Sequence, residues 1–258
     1  MSGLKESGVV ARDTSHRKTV VLLLIVAAGL FLASALVQWN ASMQRWVTFS
    51  GSADPNGPSV EDHMYDYYLP TEEWVPIGSA AELLGIGLLM TAIGFAVLAT
   101  AVLMIPDPTK DHIKAVAIIS LGFDLLLVLA TAGMFAWMGL HTLLSGLQGT
   151  QAGLLESGIL MQLLLYLGFA APVILAVRWR NRLPAVSIAC VFLLGSTVVG
   201  YIVSTYLIAP LIAGMSHDTA RWTETVIAVS TAAAGIATAY GVIQVRRIKT
   251  LSKEPTRS

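Results

Sequence analysis

Six apolar runs, 20–37, 79–105, 113–140, 155–177, 184–210 and 223–244, take up most of the chain. Each reaches or approaches the roughly 20 residues that a helix needs to cross ~30 Å of hydrocarbon. Most are apolar all round, a pattern of membrane helices rather than of helices on a soluble surface. Only 12% of the 258 residues are charged, against roughly 25% in an ordinary soluble domain. The expected fold is therefore all-α, a polytopic bundle of six transmembrane helices. Residues 1–19 read as a cytoplasmic arm, 20–244 as the transmembrane domain with an outer loop at 38–78, and 245–258 as a cytoplasmic tail.

Lys and Arg orient the spans. The N-terminal arm holds Lys5, Arg12, Arg17 and Lys18, and the second-to-third connection holds Lys110 and Lys114. The fourth-to-fifth connection holds Arg178, Arg180 and Arg182, and the tail holds Arg246, Arg247, Lys249, Lys253 and Arg257. The remaining connections carry only Arg45 and Arg221. Cytoplasmic loops of membrane proteins are enriched in basic residues, so both termini are expected inside the cell membrane. The first span follows basic residues and ends near a small-residue "ASA" at 33–35, which resembles a signal-peptidase site. The long polar stretch before it favours an uncleaved anchor. Zero net charge argues against nucleic-acid binding. The single Cys190 lies in an apolar run and reads as filler.

The segment "PSVEDHMYDYYLPTEEWVP", 58–76, carries Glu61, Asp62, Asp66, Glu72 and Glu73 together with Tyr65, Tyr67, Tyr68 and Trp74, and no Lys or Arg. On the outer side it suits a recognition patch, because Tyr and Trp combine apolar area with a polar handle. Trp39, Trp46, Trp74 and Trp222 fall near outer helix ends, where headgroups favour aromatic rings. Ala92, Ala96 and Thr100, and Ala233, Ala237 and Gly241, form small-residue ridges suited to close helix packing.

Asp124 lies eleven residues into the third run, roughly 16 Å deep at 1.5 Å per residue. No span interior offers it a basic partner, and a lone carboxylate at such depth is a functional candidate by default. Ser120 and Thr131 share its helical face; Tyr166 and Gln162 lie at similar depth in the fourth span. Thr197, Tyr201 and Ser204, and Glu224, Thr231 and Thr238, extend polar strips along the fifth and sixth. Such strips line a polar cavity or simply join helices by hydrogen bonds. His63, His141 and His217 on the outer side, with Glu61, Asp62, Asp66, Glu156 and Asp218, offer Zn²⁺ or Cu²⁺ ligands if they converge. No other cofactor is indicated.

Phosphate-binding glycine loops, GxSxG, HExxH and CxxC are all missing from the sequence. Three function classes follow, in order. The first is a non-catalytic membrane subunit or assembly factor whose outer loop docks a protein partner. The second is a small-solute or proton-coupled transporter built on Asp124. The third is a membrane metalloenzyme using the outer His residues. The lipid bilayer is a partner in all three.

Overall fold

In a computed structural model the chain is described over residues 3–49, 59–70, 73–106, 114–155, 157–214 and 218–251, by backbone alone at 3–14, 114 and 248–251. Glu72, Glu156 and His217 lie outside the described residues. The elements are α1 (Gly3–Met43), α2 (Ala80–Leu103), α3 (Lys114–Gln148), α4 (Gly158–Trp179), α5 (Pro184–Leu193), α6 (Val198–Val203), α7 (Ala209–Ala213) and α8 (Thr223–Leu251). There is no strand among the described residues.

Five helices are long and apolar enough to cross a membrane: α1 with its terminal turn, α2, α3, α4 and α8. The fifth expected span is not one helix. It breaks at Ser196–Thr197 and bends by 69° between Pro184–Ser196 and Val198–Ala213. Thr197 is extended (φ −89°, ψ 168°), and its hydroxyl caps α6 by accepting from Gly200 N at 3.1 Å. A Cβ on Gly200 would lie 2.0 Å from Leu194 O, so only glycine lets the chain fold back this closely.

α2 packs between α1 and α3, α4 between α3 and α5, and α8 against α1 and α5. The tightest approach joins α2 and α3 at Gly85 and Gly139. A Cβ on Gly85 would meet Leu143 N at 2.5 Å, and one on Gly139 would meet Gly85 O at 2.9 Å. Removing side chains lets the backbones touch and gather dispersion contacts that lipid cannot replace. The expected alanine ridge on α2 contributes less, since Ala96 and Thr100 face outward.

A buried ladder of side-chain hydrogen bonds ties four segments together. Ser196 Oγ lies 2.8 Å from Thr231 Oγ1, which donates to Gln38 Oε1 at 3.4 Å. Gln38 Nε2 donates to Ser34 Oγ at 2.9 Å, and Ser34 Oγ lies 2.8 Å from Thr91 Oγ1. Buried polar groups require such partners, so the ladder fixes helix register as well as contact.

α3 outruns its neighbours. Asp124 pairs with Arg178 in the last turn of α4, and Arg182 of the following turn lies 3.3 Å from Asp124 Oδ2. The chain then enters α5 at Pro184. The stretch Lys114–Phe123, about 15 Å at 1.5 Å per residue, therefore projects past the end of α4. Val116, Ile118, Ile119, Leu121 and Phe123 are all exposed there. At the same basic end Arg17 Nη2 donates to Val245 O, and to Arg246 O at 2.7 Å, joining α1 to α8.

Candidate functional site

The opposite end of the bundle is closed by residues 59–70 and 73–77, folded inward as a cap. α1 ends in a wide π turn, Gln44–Thr48, with Phe49 N donating back to Gln44 O at 2.8 Å. The extra residue in that turn brings two consecutive side chains, Arg45 and Trp46, to the inside.

Arg45 has no solvent-exposed surface. Its Nε donates to Val60 O at 3.1 Å and its Nη2 to Asp62 O at 3.2 Å. Its Nη1 donates to Asp66 Oδ1 at 2.5 Å and to Glu224 Oε1 at 2.9 Å. Glu224 Oε2 accepts from Trp46 Nε1 at 2.6 Å, and the guanidinium stands over the Trp46 ring at 4.5 Å. Thr219 Oγ1 lies 2.7 and 2.6 Å from the two Asp66 oxygens, and Thr219 N donates to Glu61 O at 3.0 Å. One guanidinium thus holds α1, the cap and the first turn of α8. A buried charge network of this kind contributes modestly as a whole but is expensive to break, because one missing partner strands the rest.

The cap's aromatics complete the closure. Tyr65, Tyr67, Tyr68 and Trp74 are all buried. Tyr68 Oη donates to Ser196 O at 2.7 Å. That carbonyl lies at the helix break, where Gly200 N is taken by the Thr197 hydroxyl. The Tyr68 ring stacks on Tyr201 with centroids 4.5 Å apart and planes 2° from parallel. The Tyr67 hydroxyl is fully buried, makes no hydrogen bond among the described residues, and lies within electrostatic reach of Glu224, Arg45, Tyr201 and Asp66. Burial pushes the Tyr67 and Tyr68 hydroxyls well above their ordinary pKa, so both stay protonated at physiological pH.

Several expectations are corrected by this geometry. Tyr65, Tyr67, Tyr68 and Trp74 are not available on the surface, because the apolar groove between helices buries them more favourably than water does. Asp66 is not a rim charge but the partner of Arg45. Trp46 and Trp74 are buried, and of the expected interfacial tryptophans Trp39 is the exposed one on α1. Asp124 is not without a basic partner. It meets Arg178 and Arg182, and Arg178 Nη2 also donates to Ser120 Oγ at 2.6 Å. Tyr166 (69% exposed) and Gln162 face away from the bundle and line no interior cavity. Thr131 donates to Leu127 O of its own helix, and Thr197 serves as a helix cap. Tyr201 and Glu224 do join one site, with Arg45 as the unforeseen centre.

The expected convergence of His63, His141 and His217 is also revised. Among the described residues the clustered metal-ligating side chains are Asp62, His63 and Asp218, with ligand atoms within 4.8 Å of one another. His141 is buried within α3, and neither ring nitrogen makes a hydrogen bond among the described residues. An apolar cleft of about 230 Å³ lies at the helix break, lined by residues including Phe169, Phe192, Val199 and Val226.

The described residues form an all-helical architecture with five to six helices long and apolar enough to cross a membrane, consistent with a helical membrane protein. No known protein family, curated protein or solved structure matches the chain.

Proposed function

We propose that this protein is an integral membrane subunit or accessory protein that presents a fixed acidic outer face to a protein partner, with both termini in the cytoplasm. One observation carries the reading: the cap's aromatics and Asp66 are spent inward, while the charges left outside are almost all acidic. Glu73, Asp218 and His63 are exposed, and Glu61 and Asp62 are partly so. Arg221 answers Glu61 at 3.4 Å. A surface held rigid from beneath loses little entropy on binding, which favours recognition by a prefolded face. The orientation rests on the distribution of Lys and Arg, fourteen on one side against Arg45 and Arg221 on the other.

The test is capture in a gentle detergent. Glu61→Gln, Glu73→Gln and Asp218→Asn together leave the Arg45 network untouched. The combined variant is expected to insert and fold normally yet lose partner capture, most visibly at low salt, where exposed charges are least screened. Unchanged capture at every salt concentration removes the acidic face from the account.

Solute or proton transport is the second reading, and Arg45, Asp66, Glu224, Tyr67 and Tyr201 now support it better than Asp124 does. Two carboxylates facing one guanidinium leave a negative charge unmatched when both are ionised. Protonation of one carboxylate would remove it.

A further inference from the structure

We propose that Asp62, His63 and Asp218 form a binding site for a divalent transition-metal ion of the Zn²⁺ or Cu²⁺ class, clasping the cap to the segment that leads into α8. Independently of any partner, three structural observations support it.

The first is the donor set. One imidazole and two carboxylates suit borderline metals, and a three-ligand site leaves a position for water or a fourth donor. The second is distance. Ligands bound tetrahedrally at about 2.0–2.2 Å stand roughly 3.3–3.5 Å from one another. His63 Nδ1 lies 3.4 Å from Asp62 Oδ1 and 3.8 Å from Asp218 Oδ1. The remaining separation is within 4.8 Å. Closure requires shifts of about an ångström at side chains that are partly or well exposed, within the freedom of surface rotamers.

The third is support from beneath. Asp62 and His63 sit on a short 3₁₀ turn, with Asp62 Oδ1 accepting from Met64 N at 3.0 Å and Asp62 O accepting from Arg45 Nη2. Asp218 adjoins Thr219, whose amide is bound to Glu61 O and whose hydroxyl is bound to Asp66. The two segments that supply the ligands are thus already held together by bonds that involve none of the three ligand side chains. Ligands fixed by their surroundings bind a metal with less ordering loss than ligands on free loops. The ion would neutralise part of the acidic face and hold the cap shut by a contact separate from Arg45.

The probe is Zn²⁺ alone, titrated into the stripped, full-length protein in mild detergent, with bound metal and thermal midpoint as readouts. One saturable Zn²⁺ per chain and a raised midpoint are expected. His63→Ala and Asp218→Asn should each weaken binding by about tenfold or more, and each should leave the metal-free midpoint near wild type, as for exposed side chains. Glu73→Gln, a neighbouring acid outside the cluster, should bind Zn²⁺ normally. Failure to saturate, or saturation unchanged in both His63→Ala and Asp218→Asn, overturns the site. Partner capture by metal-free protein would leave the docking proposal standing, so the two fail separately.

Discussion

Tyr68, from the segment between α1 and α2, lies flat against Tyr201 of α6, with planes 2° from parallel. Its hydroxyl serves the carbonyl of Ser196 at the point where the fifth span breaks. A loop residue thus stands in for the helical amide that the break removed, and the cap and the bent span depend on each other.

Tyr68→Phe should keep the stack and lose the hydrogen bond. The buried Ser196 carbonyl would then go unsatisfied, at about 1–3 kcal/mol. Tyr68→Ala should cost about 3–5 kcal/mol by also emptying the ring's site. Thermal unfolding in detergent measures both. A Phe variant as stable as wild type would mean that another donor reaches Ser196.

Arg45→Met should destabilise by about 3–5 kcal/mol, because it strands Asp66 and Glu224 as buried carboxylates. Adding Asp66→Asn and Glu224→Gln should restore much of the loss by removing the charges themselves. Equal stability of the single and triple variants would show that the charges are not what the Arg45 change exposes.

Asp124→Asn should cost about 1–3 kcal/mol, discounted because Arg178 is partly exposed and can turn to water. In a double-mutant cycle with Arg178→Gln the two changes should couple by roughly 0.5–3 kcal/mol. Strict additivity would dissolve the Arg178 pair and leave Arg182 as the partner of Asp124.

Orientation has a direct test. Cysteine placed at Ser59 should react with an impermeant thiol reagent in intact cells, and cysteine at Ser252 should not. The native Cys190 is buried and contributes little background. The reverse pattern would invert the topology proposed here.

Much of the bundle is legible in the sequence, because apolar length decides it: α2, α4 and α8 match their runs closely. The helix that holds the third run extends eight residues beyond it, to Gln148, for a physical reason. Hydrophobicity continues through Val116–Phe123 on the basic side, while His141, Thr142 and Ser145 make the other end look like loop although the fold buries them. Asp124 therefore seemed deep and alone, when its partners are residues that the charge pattern assigned to a connection. Arg45 was missed in the same way. Its signal was present: the one basic residue beside a long acidic segment has reason to be drawn inside it. The break at Gly195-Ser196-Thr197 has local signs in the Thr197 cap and Gly200, but its partner Tyr68 arrives from far along the chain and leaves no local trace.

The overhang of α3 bears on where such a chain settles in a cell. Ala115–Gln148 is 34 residues long, about 51 Å of helix set against ~30 Å of hydrocarbon. Known tilts reach only about 40°, which leaves such a helix longer than the slab it crosses. Thin bilayers would leave Val116, Ile118 and Ile119 in water, and thicker ones would cover them. In a bilayer such a helix is expected to be better matched to thick membranes than to thin ones, a bias on sorting that needs no partner.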